Sequence, residues 1–234
     1  MFPGLEAVLD LKREGALVAV TKVATPAAAR KLGMARLFRW LKAHGVRKAE
    51  DLAERIVGAA RGQHRELPAA EAKAALVAEI ASEMLRTRER IADLDRRLEE
   101  LLANDPAARI VRTMPGMGIV FTAEFLAEIG DLGRFASADS LAAAGVTPVL
   151  RASGATSHRR RARRGNKVLK RVLYRSAFSC ISHHKRSEAF YRKKRAEGKG
   201  HHQAVIALAR RRVDVLWAML RDGQTYSERP SLAA

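Results

Sequence analysis

Between Ala69 and Ala103 the apolar positions Val77, Ile80, Met84, Thr87, Ile91, Leu94, Leu98 and Leu101 recur at alternating steps of three and four, with Thr87 the one polar member. The stretch has no Gly or Pro and is rich in Ala, Glu, Arg and Leu, so it predicts one long helix. A heptad seam of this kind points to a coiled coil, either with a symmetry mate or as an antiparallel hairpin with another segment. The alternative is an ordinary amphipathic helix packed on its own domain. Asn104-Asp105-Pro106 ends the helix and marks a boundary. Before it, residues 1–68 read as short helices. Ala24-Thr25-Pro26 turns into Ala27-Ala28-Ala29, Gly33 interrupts, Leu37, Phe38, Trp40 and Leu41 form an apolar face, and a further helix carries Leu52, Ile56 and Val57.

Past the boundary, Ile110-Val111-Arg112-Thr113-Met114-Pro115-Gly116-Met117-Gly118 leads into the apolar run around Phe125 and Ile129. This predicts two helices joined by a Pro-Gly-x-Gly turn, a helix-hairpin-helix-like motif. Glycine tolerates the positive φ of such a turn, and the next helix begins with amides free to meet a phosphate, which makes Gly116 and Gly118 candidate nucleic-acid contacts. A tight turn without a ligand is the plain alternative. Ser137 is a candidate N-cap for a helix through Leu141 to Ala144. Residues 146–154 form a loop or short extended piece. Gly165-Asn166 opens a helix from Lys167 to about Ser182, and a last helix runs from about His202 to Asp222 with Val205, Ala209, Val213, Leu216 and Leu220 inward. Of the consecutive Arg210, Arg211 and Arg212, at least one lies near that buried seam and is expected to snorkel. The fold expected is mainly α: a helical segment over residues 1–68, a coiled-coil helix over 69–105, a helical DNA-binding domain over 106–225 and a disordered tail over 226–234.

Charge sharpens this picture. The 234 residues hold 44 Lys+Arg against 25 Asp+Glu, a net +19. Residues 1–108 contribute only +3, whereas Arg151 to Arg212 hold 20 basic residues and only Glu188 and Glu197 as acids. Solvated helix faces usually mix signs, so this one-sign segment is read as a polyanion-binding surface, with nucleic acid the default partner. Its candidate contacts are Arg151, Arg159, Arg160, Arg161, Arg163, Arg164, Lys167, Lys170 and Arg171.

Hydrophobic residues make up 47% of the chain, enough for a real core, and no apolar run reaches the ~18 residues of a membrane span. A soluble, intracellular protein of the cytoplasm is expected, with no membrane partner. The single Cys180 excludes an internal disulfide and a multi-cysteine zinc site. Aromatics are 5%, which argues against recognition of single strands mainly by stacking. The adjacent pairs His183-His184 and His201-His202 do not converge on one metal, and no metal site is assigned. No P-loop, dinucleotide fingerprint or His-Glu-x-x-His occurs. Ser153, before a glycine and ahead of the basic run, could face a phosphodiester, with His158 close enough in sequence to be considered as a base. A turn-forming Ser-Gly explains the same residues.

Met114-Pro-Gly-Met-Gly118, Glu128-Ile-Gly-Asp131 with Phe135, Gly145-Val-Thr-Pro148, Ser153-Gly154 and Arg164-Gly-Asn166 occur in this order. Together they resemble the C-terminal transposase domain of the IS-one-ten family, the bridge-RNA-guided serine recombinases of bacterial insertion sequences. The resemblance covers residues 109 to about 222, and the heptad helix resembles the family's connector. It implies that Ser153, five residues after Pro148, is the nucleophile that attacks DNA and forms a covalent protein–DNA intermediate. It also implies DNA, a guide RNA and a homo-oligomer through the coiled coil as partners. The family's N-terminal resolvase-like domain, whose Asp-Glu-Asp-Asp carboxylates bind magnesium, is not recognisable here. On this reading the chain is N-terminally truncated and binds no cofactor itself, Mg2+ being implied only for the full-length family. Whether it is an enzyme stays open: the alternative is a non-catalytic nucleic-acid-binding remnant of a transposase.

Overall fold

The computed structural model describes residues 3–63, 69–145, 149–153, 156–160 and 165–228. The chain is mainly helical, as expected, and divides into two compact units, residues 1–94 and 95–234. No helix among the described residues is long and apolar enough to cross a membrane.

The first unit holds α1 (Pro3–Val8), α2 (Glu14–Lys22), α3 (Pro26–Leu32), α4 (Met34–Ala43) and α5 (Ala49–Gly62). Thr25 caps α3 by accepting from the Ala28 amide at 3.1 Å, with Pro26 in the first turn where no amide is needed. Leu17, Val20, Leu37, Leu41 and Ile56 fill the centre of this unit. Arg30 bonds the Ala60 and Gln63 carbonyls at 2.6 and 2.8 Å, closing the C-terminal end of α5.

The long helix predicted over Ala69–Ala103 is α6, Ala70–Leu102. It packs on the first unit through Ala81, with Val77 and Leu85 partly buried, a stripe at steps of four. Most of the heptad seam lies elsewhere on the helix. Ile80, Met84, Ile91, Leu94 and Leu101 are 41–78% exposed. The two tracks share Val77 and then diverge, so that most of the heptad positions stay exposed beside the packed stripe.

The second unit contains α7 (Pro106–Arg112), α8 (Ile119–Ile129), a 3-10 turn at Leu132–Arg134 and α9 (Ala138–Gly145). Asp105 caps α7, accepting from the Ala107 and Ala108 amides. The Ser140 amide donates to the Ser137 hydroxyl and the Ser137 amide to that of Ser140, so the cap expected at Ser137 forms reciprocally. Next come β1 (Val149–Ser153) and β2 (Thr156–Arg160), an antiparallel ribbon where a loop or short extended piece was expected. Then follow α10 (Lys167–His183), α11 (Lys185–Ala196) and α12 (His201–Asp222). Phe125, Leu141, Leu169, Leu173 and Leu216 centre the core of this unit. Tyr226 stays close to it, its amide donating to the Thr113 hydroxyl at 2.8 Å.

Candidate nucleic-acid interface

The Pro-Gly-x-Gly segment lies in the connection between α7 and α8. Gly116 has φ +77°, and a Cβ placed there would lie 2.6 Å from the Cys180 sulfur and 2.7 Å from the Ser176 carbonyl oxygen on α10. Glycine is thus required twice, by the backbone angle and by the close approach of α10. Gly116→Ala is expected to destabilise the second unit by about 2 kcal/mol or more, read as a lower urea midpoint. An unchanged midpoint would contradict this packing.

Behind the turn lies a buried polar cluster. Arg212 of α12, 5% exposed, donates to the Pro115 carbonyl at 2.6 Å, to the Ser176 hydroxyl at 3.4 Å and to the Cys180 sulfur at 3.2 Å. Cys180 in turn donates its S–H to the Pro115 carbonyl at 2.9 Å. Burial pushes the Cys180 thiol pKa up, with Arg212 opposing, which suits a protonated donor. Burial also lowers the pKa of the Arg212 guanidinium. Arg212 therefore does not snorkel: its head is held inside, against the turn. The signal was present in the sequence, since Arg212 stands among the inward positions Leu208, Ala209, Val213 and Leu216.

Gly118 is exposed, and no side chain caps α8 there. The other end of α8 is tied to the start of α10. The Asn166 side-chain amide donates to Glu128, its side-chain oxygen accepts from the Leu169 amide at 2.9 Å, and its backbone amide donates to the Ala144 carbonyl at 3.0 Å. Gly165, at φ +111°, passes so close to the Ala144 carbonyl oxygen that a Cβ would lie 2.9 Å from it. One residue pair, Glu128 and Asn166, thus joins α8 to α10 at the point where the chain returns from the ribbon. Sequence spacing did not reveal this pairing, because 38 residues separate the two.

The ribbon register is Val149↔Arg160, Arg151↔His158 and Ser153↔Thr156. Ser153 closes β1, which also carries Arg151, and His158 and Arg159 lie in β2; Arg161, Arg163 and Arg164 lie outside the described residues. Lys167 and Lys170 are in the first turns of α10, and Arg171 is ion-paired with Glu124 at 2.5 Å. Gly116 and Gly118 precede the N-terminus of α8, whereas Asn166, at the start of α10, is bonded to Glu128 near its C-terminal end, so the 11-residue α8, about 16 Å long, runs between the glycine turn and the start of α10.

Among the described residues no group of three His, Cys, Asp or Glu could hold a metal ion. His201 and His202 bond instead to tyrosines, Tyr191 at 2.8 Å and Tyr174 at 2.7 Å.

Residues 108–192, from α7 into α11, match the model of the transposase IS116/IS110/IS902 family. The chain is 42% identical to an uncharacterized 44.8 kDa protein of insertion element IS116 from Streptomyces clavuligerus over 97% of its own length and 58% of the relative's. It is 42% identical to an uncharacterized 42 kDa protein of insertion element IS900 from Mycobacterium paratuberculosis, over 98% of this chain and 59% of that one. A transposase for insertion sequence element IS1111A from Coxiella burnetii is 27% identical over 62% of this chain and 41% of its own. The chain spans somewhat more than half the length of the first two relatives.

Proposed function

Since this chain belongs to the IS116/IS110/IS902 transposase family, we propose that its second unit holds DNA through the basic segment and joins and cleaves it through Ser153. The observation that carries this reading is the position of Ser153. It ends the first strand of the ribbon, inside the segment that holds nearly all the net charge, and the helix next in sequence begins at Asn166, which is bonded to Glu128 and to Ala144. In the proposed step the Ser153 Oγ attacks the phosphorus of a phosphodiester. A P–O bond to one sugar breaks, the sugar oxygen leaves with a proton, and the strand stays joined to the serine until a second hydroxyl displaces it. His158, in the strand β2 that pairs with β1, is the base this reading assigns to the serine proton. The surrounding arginines offset the charge on the phosphate. No step is routed through a metal ion.

The exposed Gly118 before α8, with no side-chain cap, offers helix-start amides as a second, sequence-independent phosphate contact. A guide RNA is a further polyanion for the same unit. On α6 the exposed stripe Ile80, Met84, Ile91, Leu94 and Leu101 is the seam through which a second copy pairs as a coiled coil.

Two experiments test this reading. Replacing Ser153 in a recombination-competent chimera tests the chemistry. Duplex DNA binding against salt tests the surface. With about six to ten phosphates neutralised, affinity should fall by about 10³- to 10⁵-fold between roughly 50 and 200 mM salt. A flat response would remove the electrostatic argument.

A further inference from the structure

Although aromatic residues are sparse in this chain, the fold gathers several of them on one basic surface. Phe178 on α10 is 52% exposed. The His201 ring meets it edge-on at 5.8 Å between centroids, and Tyr191 packs on His201 from the other element, α11, at 5.7 Å. His201 and His202 stand 5.3 Å apart, and Tyr174 lies one turn before Phe178, bonded to His202. Two of the chain's three tyrosines are thus spent orienting two exposed imidazoles beside an exposed phenyl ring. These rings occupy the start of α12, where the helix dipole is positive. Lys170, Tyr174 and Phe178 follow one another at steps of four along α10, and the exposed Arg175 adjoins them.

We propose that this surface is a stacking platform for unpaired nucleobases, with Phe178 as its central ring. Bases inside a duplex are stacked on one another and offer no face to a side chain, so the platform selects single-stranded or splayed-out nucleotides. Their π-faces suit Phe178, and their phosphates suit the cations and the helix start. A hydrophobic protein partner would have to tolerate a segment of 20 basic residues and two acids, which an unpaired strand satisfies directly. The inference rests on the reading of this unit as nucleic-acid-binding and adds a site to it: the ribbon addresses the phosphodiester to be broken, while the platform addresses a base that has left its pair.

The test compares the full chain with Phe178→Ala and Phe178→Trp by fluorescence anisotropy on three labelled probes of about 16 nucleotides: single-stranded DNA, single-stranded RNA of the same sequence, and duplex DNA. Phe178 is exposed, so the alanine variant is expected to fold. Phe178→Ala should weaken single-strand binding by about 5- to 150-fold and leave duplex binding unchanged, and Phe178→Trp should restore it. Loss confined to the DNA or to the RNA probe identifies which strand the platform holds. Unchanged single-strand affinity, or an equal loss on the duplex, overturns the platform while leaving the DNA-binding reading intact. A native chain that binds none of the probes overturns both.

Discussion

Ser153→Ala, placed in a full-length relative whose matching region is replaced by residues 69–234 of this chain, is expected to lower recombination by at least about 10³-fold. Removing a nucleophile abolishes the covalent route, and what survives comes only from binding and charge. The substitution alters one hydroxyl at the end of a two-stranded ribbon and leaves the backbone pairing Ser153↔Thr156 available. Duplex affinity and its salt slope should therefore match those of the parent chimera, which separates lost chemistry from lost binding. Denaturing electrophoresis should show a protein–DNA adduct in the parent and none in the variant. If the chimera recombines equally well with alanine, the serine is only a turn residue. A parent chimera that binds DNA but forms no adduct would favour the binding-only remnant.

The elements that were readable in advance are those that carry their own signal. Ala70–Leu102 announces itself by composition, α12 by its apolar stripe, and the start of α7 by Asp105-Pro106. The elements that were not are held by partners distant in sequence. Helix α11 has only Phe190 and Tyr191 as large apolar residues among its cations, and it forms because it packs on α10 and α12. The ribbon has no alternation of apolar and polar residues in Thr156–Arg160, so only its pairing with Val149–Ser153 identifies it. Order along the chain exposed the motifs of the candidate site, but not their arrangement. The glycine turn and Asn166 lie at opposite ends of α8, and the Glu128–Asn166 bond that ties together two of the motifs joins residues far apart in sequence.

Arg212→Ala should destabilise the chain by about 2–4 kcal/mol, the cost of an emptied buried site together with lost charge-assisted hydrogen bonds to Pro115 and Ser176. Two effects oppose this. Among the described residues the Arg212 Nε has no hydrogen-bond partner and no carboxylate is bonded to the guanidinium, so removing it also removes an uncompensated buried charge. Arg212→Met separates the contributions. It keeps most of the volume while discarding the charge and its hydrogen bonds, so it should cost less than alanine, and the remaining loss is the net effect of the guanidinium group without the emptied volume. Arg212→Lys keeps the charge but cannot span the acceptors that the planar fork reaches, and should resemble alanine more than methionine. Urea unfolding of all three variants measures the order. Hydrogen exchange locates the effect, since loss of the Pro115 tether should speed exchange at Met117, whose amide bonds the Met114 carbonyl across the turn. A methionine variant as destabilised as the alanine one would mean that the guanidinium hydrogen bonds, and not the volume packed behind the turn, hold the α7–α8 connection in place.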